Sequence, residues 1–205
     1  MAGEGLPLPL GATPPPVAID QGTLARTKSP SPGPIGLQGG NAGATAAASI
    51  GARIVQFAQD RRGRRVGDGE CFALADKALR TAGAKSAADF GTVADDTDYV
   101  WGTAIALSAV QPGDVVQFRD YKYNRREEKA DGGWREHSES RPHHTAIVVS
   151  SDGNGLLTVI EQNAPPGSAV RQIQLGFEDG TTRSGSTTIR VTVTGQVWFY
   201  RPAPR

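Results

Sequence analysis

The side chains best suited to covalent chemistry are one cysteine and a cluster of histidines. Cys71 is the only cysteine, and His137, His143 and His144 lie within one short segment well after it. A thiol and an imidazole can act together as nucleophile and base because catalytic pairs are adjacent in space and not in sequence. A lone cysteine can equally be a small buried hydrophobe. The sequence around Cys71 must therefore distinguish a nucleophile from an inert thiol.

Cys71 falls in the first turn of a predicted helix over residues 69–82. Asp68 is the expected N-cap, and Gly83 is the expected C-terminal stop. The free N–H groups and the positive dipole end of a helix N-terminus stabilise the thiolate form of a cysteine placed there. The position of Cys71 is therefore typical of a nucleophilic cysteine.

His144 immediately precedes a predicted β-hairpin with strands over 145–150 and 156–162. The dipeptide Asp152-Gly153 between them is favoured in two-residue type I′ turns. The hairpin therefore continues the segment that contains His144 alongside the strand that carries Glu161.

The length of this turn determines which residue faces His144. A two-residue turn places His144 directly across from Glu161 and diagonal to Asn163, on the same face of the sheet. A four-residue loop instead places Asn163 opposite His144 and makes Glu161 the diagonal neighbour, while an odd-length loop separates Glu161 and His144 onto opposite faces. Either even-length loop predicts a constellation of Cys71, His144, Glu161 and Asn163.

These residues fit the mechanism of a cysteine peptidase or amidase. His144 would hold the Cys71 thiolate as an ion pair and protonate the leaving amine. Glu161 or Asn163 would fix the tautomer of the imidazole, and the Cys71 N–H would donate to the oxyanion. His143 is expected on the opposite face of the strand in a structural role, although the two adjacent histidines can exchange roles at this stage.

The remaining sequence predicts an α+β domain over residues 44–205. A first helix is expected from residue 44 to Gln59, and a Pro-Gly-Asp turn over 111–114 leads into the strands. The predicted strands cover 115–119, 145–150, 156–162, 188–194 and 197–200. Helices followed by strands indicate the α+β class.

Residues 1–43 differ from the rest of the chain in composition. They contain eight of the 14 prolines and no aromatic residues. Such a segment buries too little apolar surface to offset its ordering entropy, so we expect a disordered Pro/Gly-rich arm.

Four motifs in this order resemble the CHAP family of papain-like cysteine peptidases and amidases, within the NlpC superfamily. They are Gly69-Glu70-Cys71-Phe72, Gln111-Pro112-Gly113-Asp114-Val115-Val116, His144-Thr145-Ala146-Ile147-Val148 and Ile160-Glu161-Gln162-Asn163. The resemblance implies N-terminal helices packed on an antiparallel β-sheet, catalytic roles for Cys71, His144, Glu161 and Asn163, and peptide or peptidoglycan substrates. The chain departs from the family at Glu70, where glutamine is usual, and at His143, where glycine is usual.

A second resemblance extends nearly to the C-terminus. Gly69-Glu70-Cys71, Tyr99-Val100-Trp101-Gly102, residues 159–163 and Tyr200-Arg201-Pro202 are similar to the cysteine-proteinase-fold domain of the Bbc/Aim proteins. This resemblance implies a protease ancestry more directly than it implies activity. The alternative function is therefore a weakly active or inactive module that binds a protein partner.

Composition argues against several other classes of function. The formal charge is only +1, so neither nucleic acid nor an anionic membrane is an expected partner. No window is apolar enough to span a membrane, and the N-terminus lacks a Sec-type signal pattern, which leaves the cytoplasm or a specialised export route. No metal is expected because adjacent histidines without further spaced ligands do not make a zinc site, and the mechanism requires no cofactor.

Two segments of the chain are rich in charged residues. Residues 120–142 form an insertion between predicted strands and are expected to be either a lid or a mobile surface hairpin. Residues 61–65 contain four arginines, which can bind a substrate carboxylate or form an ordinary solvated loop.

Overall fold

The computed structural model describes residues 49–94 and 96–205, so the predicted arm over 1–43 lies outside the described residues. Two α-helices precede a seven-stranded antiparallel sheet, which confirms the α+β class. The helices are α1 (Ile50–Gln59) and α2 (Cys71–Thr81). The strands are β1 (Thr103–Ile105), β2 (Val115–Lys129), β3 (Trp134–Ser151), β4 (Leu156–Glu161), β5 (Arg171–Gly176), β6 (Gly180–Ser184) and β7 (Thr187–Arg201). Their order is β1-β7-β2-β3-β4-β5, with β6 added beside β7.

Helix α1 packs closely against the predicted Pro-Gly-Asp turn. The Ser49 side chain caps its first turn by accepting from the Ala52 N–H at 3.1 Å. Gly113 adopts φ +90°, and a Cβ there would lie 2.3 Å from the Gly51 Cα. The turn and the helix can therefore cross only because both positions are glycine.

Helix α2 begins two residues later than predicted. Its N-cap is Glu70, which makes no side-chain cap, whereas the Asp68 side chain accepts the Glu70 N–H at 2.9 Å. The prediction of Asp68 as N-cap was therefore wrong, because its carboxylate closes a tight turn before the helix and does not cap it. Gly83 ends the helix as predicted, at φ +76°.

The sheet separates two hydrophobic clusters. The first holds the helices against one side of the sheet and includes Ile54, Leu74, Leu79, Trp101 and Ile147. The second covers the other side and includes Phe118, Tyr121, Leu157, Val159 and Phe177. Side chains of successive strand residues alternate between these two clusters, as Ile147 and Val148 do.

The charged insertion over 120–142 is part of the sheet. Strands β2 and β3 continue pairing as far as Glu128 opposite Trp134, and β7 pairs along β2 as far as Thr187 opposite Lys129. The prediction of a hairpin is therefore confirmed, although both of its strands extend the sheet, whereas the prediction of a lid was wrong. The alternation of polar and apolar residues that identifies a strand is hidden here, because both faces of this extension carry charged residues. The predicted strands 188–194 and 197–200 likewise form the single strand β7.

The β3–β4 hairpin differs from the predicted two-residue turn. Ser151 pairs with Leu157, which leaves five residues in the loop, and a bulge lies between Val148 and Ser150. Beyond this bulge Ala146 pairs with Glu161. A five-residue loop alone would turn Glu161 away from His144, and the extra residue of the bulge reverses that change of face. The resulting register near the site is the one predicted for a four-residue loop.

Candidate active site

His144 and Glu161 form the buried centre of the candidate site. His144 Nε2 lies 3.1 Å from Glu161 Oε2, and both side chains are almost completely excluded from solvent. The His144 ring also packs on Phe118, with 6.0 Å between ring centroids. Glu161 is the diagonal neighbour of His144, as the four-residue-loop register predicted. A carboxylate in this position fixes the tautomer and orientation of an imidazole.

Two arginines hold Glu161 on its remaining sides. Arg141 donates to both carboxylate oxygens, from Nε at 2.8 Å and from Nη2 at 2.7 Å, and Arg171 Nε donates at 3.1 Å. Burial alone would raise the pKa of Glu161, but hydrogen bonds from His144 and Arg141 outweigh it and lower the pKa to about 2. Glu161 is therefore a carboxylate throughout the physiological range.

The Cys71 thiol is the other partner of the His144 imidazole. Burial lowers the pKa of His144, but hydrogen bonding with Cys71 and with Glu161 raises it further, so the net shift is upward. Since Nε2 faces Glu161, Nδ1 is the ring nitrogen left for the thiol. Cys71 itself is partly exposed. Both Cys71 and Glu161 thus act on the His144 imidazole, and we call these three residues the candidate triad.

Gln162 connects the strand that carries Glu161 to the segment that carries Cys71. Its buried side chain accepts the Val66 N–H at 2.6 Å and donates to the carbonyls of Val66 and Glu70, at 3.0 and 2.9 Å. The amide therefore satisfies the buried Val66 N–H and adds a second hydrogen bond to two carbonyls just before α2. These bonds position the N-terminus of α2 relative to β4.

Asn163 does not contact His144. Its Nδ2 donates to Glu70 Oε2 at 2.7 Å, and its Oδ1 accepts the Gly167 N–H at 2.5 Å. Strand β4 ends at Glu161, and Asn163 adopts φ +66°, so the chain has left the sheet before it reaches this residue. The prediction that Asn163 orients the histidine was wrong in its geometry. Between the two alternatives, the structure places Glu161 beside the imidazole.

His143 points away from the triad, as expected for its structural role. Its Nε2 donates to the Thr97 carbonyl at 3.0 Å, and its ring packs on Tyr99 with 5.4 Å between centroids. Tyr99 also contacts Phe72, which follows Cys71 in α2, at 5.0 Å. Aromatic packing therefore holds the first turn of α2 against the segment before β1.

Sequence reasoning missed three residues of the site: Arg141, Gln162 and Arg171. Arg141 lies in the charged segment that was expected to form a loop, and Arg171 lies in β5, which the sequence did not predict. Gln162 directly follows Glu161, and successive residues of a strand face opposite sides of a sheet. Strand alternation therefore placed the Gln162 side chain away from the imidazole. A buried arginine has no distinct sequence signal because its burial depends on the carboxylate that it pairs with.

Within residues 49–94 and 96–205, no group of three or more histidine, cysteine, aspartate or glutamate side chains could hold a metal ion. In the same part of the chain no helix is long and apolar enough to cross a membrane.

Helices packed on an antiparallel sheet, with a cysteine at a helix start facing a histidine on the sheet, define a papain-like cysteine-proteinase fold. The chain belongs to the family of AIM3/BBC1 cysteine proteinase-fold domains, whose model matches residues 44–205. The match agrees with the likeness to the Bbc/Aim domain, whereas nothing in it assigns the chain to the CHAP or NlpC group. Searches of curated proteins and of solved structures found no match.

Proposed function

We propose that the chain is a cysteine-dependent hydrolase of peptide or amide bonds. The observation that carries the proposal is the buried contact of His144 Nε2 with the Glu161 carboxylate at 3.1 Å, and the upward effect of Cys71 on the pKa of the same imidazole supports it. An imidazole held in one tautomer by a carboxylate can take up the thiol proton and later return it. The partial exposure of Cys71 gives a substrate access to the sulfur.

The hydrolysis proceeds in two balanced steps. The Cys71 sulfur attacks the amide carbonyl carbon, and the C–N bond breaks as His144 delivers a proton to the leaving amine. A water molecule then loses a proton to His144 and attacks the thioester, and the thiol leaves as it regains that proton. The Cys71 N–H at the start of α2, which has no intrahelical acceptor, is available to the oxyanion in both steps.

Product analysis tests this proposal. Wild type, Cys71→Ala and His144→Ala would each be incubated with unfolded polypeptide and, separately, with purified peptidoglycan, and new termini would be identified by mass spectrometry. We expect products from wild type alone. His137→Ala is the matched control because this exposed histidine lies outside the triad, and it should behave as wild type. Identical product profiles for wild type and Cys71→Ala would contradict hydrolysis.

A weakly active or inactive module that binds a protein partner is the second candidate. Two observations favour it: Arg141 and Arg171 share the Glu161 carboxylate with His144, and the Glu70 carboxylate directly precedes the nucleophile. Both features reduce the stabilisation of a thiolate–imidazolium pair. Labelling with an electrophilic peptide distinguishes the candidates. Hydrolysis predicts faster labelling of Cys71 in wild type than in His144→Ala, whereas equal slow labelling would favour the binding module.

A further inference from the structure

A basic cleft lies between the end of α1, the segment that follows it and one flank of α2. Its volume is about 610 Å³, within the size range of sites for small ligands and short peptide segments. Five basic side chains line it, against Asp60 as the single acidic one: Arg61, Arg64, Arg65, Lys77 and Arg80. We call it the basic cleft. The arginine-rich segment of the sequence therefore forms one wall of a concave surface.

Several of these cations are held in fixed positions. The Arg61 guanidinium stacks over the Phe57 ring at 3.5 Å and donates to the Phe57 carbonyl at 3.0 Å. Arg65 donates to the Gly167 carbonyl, and Arg80 pairs with Asp76 at 2.7 Å. Guanidinium groups that are already ordered lose less entropy when they bind a carboxylate. The cleft is therefore preorganised for anionic groups.

Two further cations in the cleft are not paired with an acid. Lys77 and Arg64 are exposed, and neither forms an ion pair with a carboxylate in residues 49–94 and 96–205. A Cβ at Gly67 would lie 3.4 Å from Lys77 Nζ, so the ammonium group lies close to the backbone of the opposite wall. The positive charge of the cleft is thus concentrated and largely uncompensated.

The cleft is separate from the candidate active site. At 3.6 residues per turn, Lys77 and Arg80 lie roughly 120° and 180° around α2 from Cys71. A ligand in the cleft therefore occupies the flank of α2 away from the thiol. Its binding does not depend on the proposed hydrolysis.

We propose that the basic cleft is a docking site for a short acidic peptide segment of a protein partner. Guanidinium and ammonium groups converge there on a volume suited to a few carboxylate side chains. The positive charge is local, since the chain as a whole carries only +1. A long polyanion therefore gains little further electrostatic attraction from the surface outside the cleft. A peptide bearing several glutamates matches both the charge and the size.

Fluorescence anisotropy of a labelled hexaglutamate peptide tests the proposal with the full chain. We expect saturable binding that a hexaglutamine peptide does not reproduce. The double variant Arg64→Gln/Lys77→Gln should weaken binding by at least about tenfold, since it removes two charged contacts. The matched control Arg183→Gln/Arg190→Gln removes the same formal charge from exposed positions on β6 and β7 and should change binding by less than about twofold at 0.15 M salt. Cys71→Ala should bind as wild type.

Three results would overturn the proposal. Equal weakening in the cleft variant and in the control would indicate general electrostatic attraction. Loss of peptide binding in Cys71→Ala would place the peptide at the active site. Tighter binding of a single-stranded oligonucleotide, also lost in the cleft variant, would assign the cleft to nucleic acid. Thermal melting of all variants establishes that each is folded, and a failure of the proposed hydrolysis leaves these outcomes unchanged.

Discussion

Glu161 Oε2 lies 3.1 Å from His144 Nε2 although the two residues are not paired across the sheet. Glu161 pairs with Ala146, and the bulge between Val148 and Ser150 compensates for the odd-length loop at the end of the hairpin. A diagonal contact on one face is within reach of side chains of this length. The contact therefore depends on both the odd-length loop and the bulge, because each cancels the change of face that the other causes.

The first prediction concerns the carboxylate of the triad. Glu161→Gln leaves Arg141 buried beside a neutral amide, and we expect the free energy of unfolding to fall by about 3–5 kcal/mol. The imidazole also loses its anionic partner, so alkylation of Cys71 at neutral pH should slow. Chemical denaturation and iodoacetamide labelling measure the two effects. The exposed Glu178→Gln variant should stay within about 0.5 kcal/mol of wild type.

The two arginines that hold Glu161 should differ in their contribution to stability. The Arg141 side chain is 3 % exposed and that of Arg171 is 32 % exposed. Removing Arg141 leaves Glu161 buried without its bidentate partner, so Arg141→Ala should cost about 3–5 kcal/mol, against about 1 kcal/mol or less for Arg171→Ala. Urea unfolding compares them. Equal costs would show that the bidentate contact contributes no more than the partly solvated one.

Gln162 should position the nucleophile without touching it. Gln162→Ala leaves the buried Val66 N–H without its partner and removes one of the two hydrogen bonds to the Glu70 carbonyl, at a cost of about 1–3 kcal/mol. We expect faster hydrogen exchange in residues 66–70 and altered alkylation of Cys71. Unchanged exchange in that segment would rule out the positioning role, whatever the effect on global stability.

Glu70 should reduce the reactivity of the neighbouring thiol. Glu70→Gln removes the negative charge and keeps an amide oxygen for the Asn163 Nδ2 donor. We expect alkylation of Cys71 to accelerate by a few-fold at low salt, with a smaller difference at high salt because exposed charges are screened. If the variant and wild type reacted at the same rate at low salt, the carboxylate would have no electrostatic effect on the thiol.

Stability should decrease in acid because of Glu161. Its pKa is about 2 in the folded protein and near 4.5 as an ordinary side chain. A lowered folded-state pKa stabilises the protein above the unfolded value, and this contribution is lost as pH falls from about 4.5 towards 2. It amounts to about 3 kcal/mol. Thermal melting across this range should show a steeper loss in wild type than in Glu161→Gln.

The sequence by itself determined the α+β class and the helix that presents Cys71. These features depend on local signals, namely a helix boundary and period-two strands. The end of α2 at Gly83 is likewise local, since the required φ of +76° favours glycine.

Only the tertiary structure decided which residue orients His144, which ionisation state Glu161 adopts and which secondary structure the charged insertion over 120–142 forms. Register depends on a bulge that no local pattern encodes. Strand β4 ends at Glu161, so Asn163 has left the sheet and contacts Glu70 instead of the imidazole. Arg141 and Arg171 reach Glu161 from separate strands, so their roles follow from sheet order. Residues 120–142 extend the sheet because β7 supplies a partner that lies far along the chain, and long-range pairing is not visible in a local pattern.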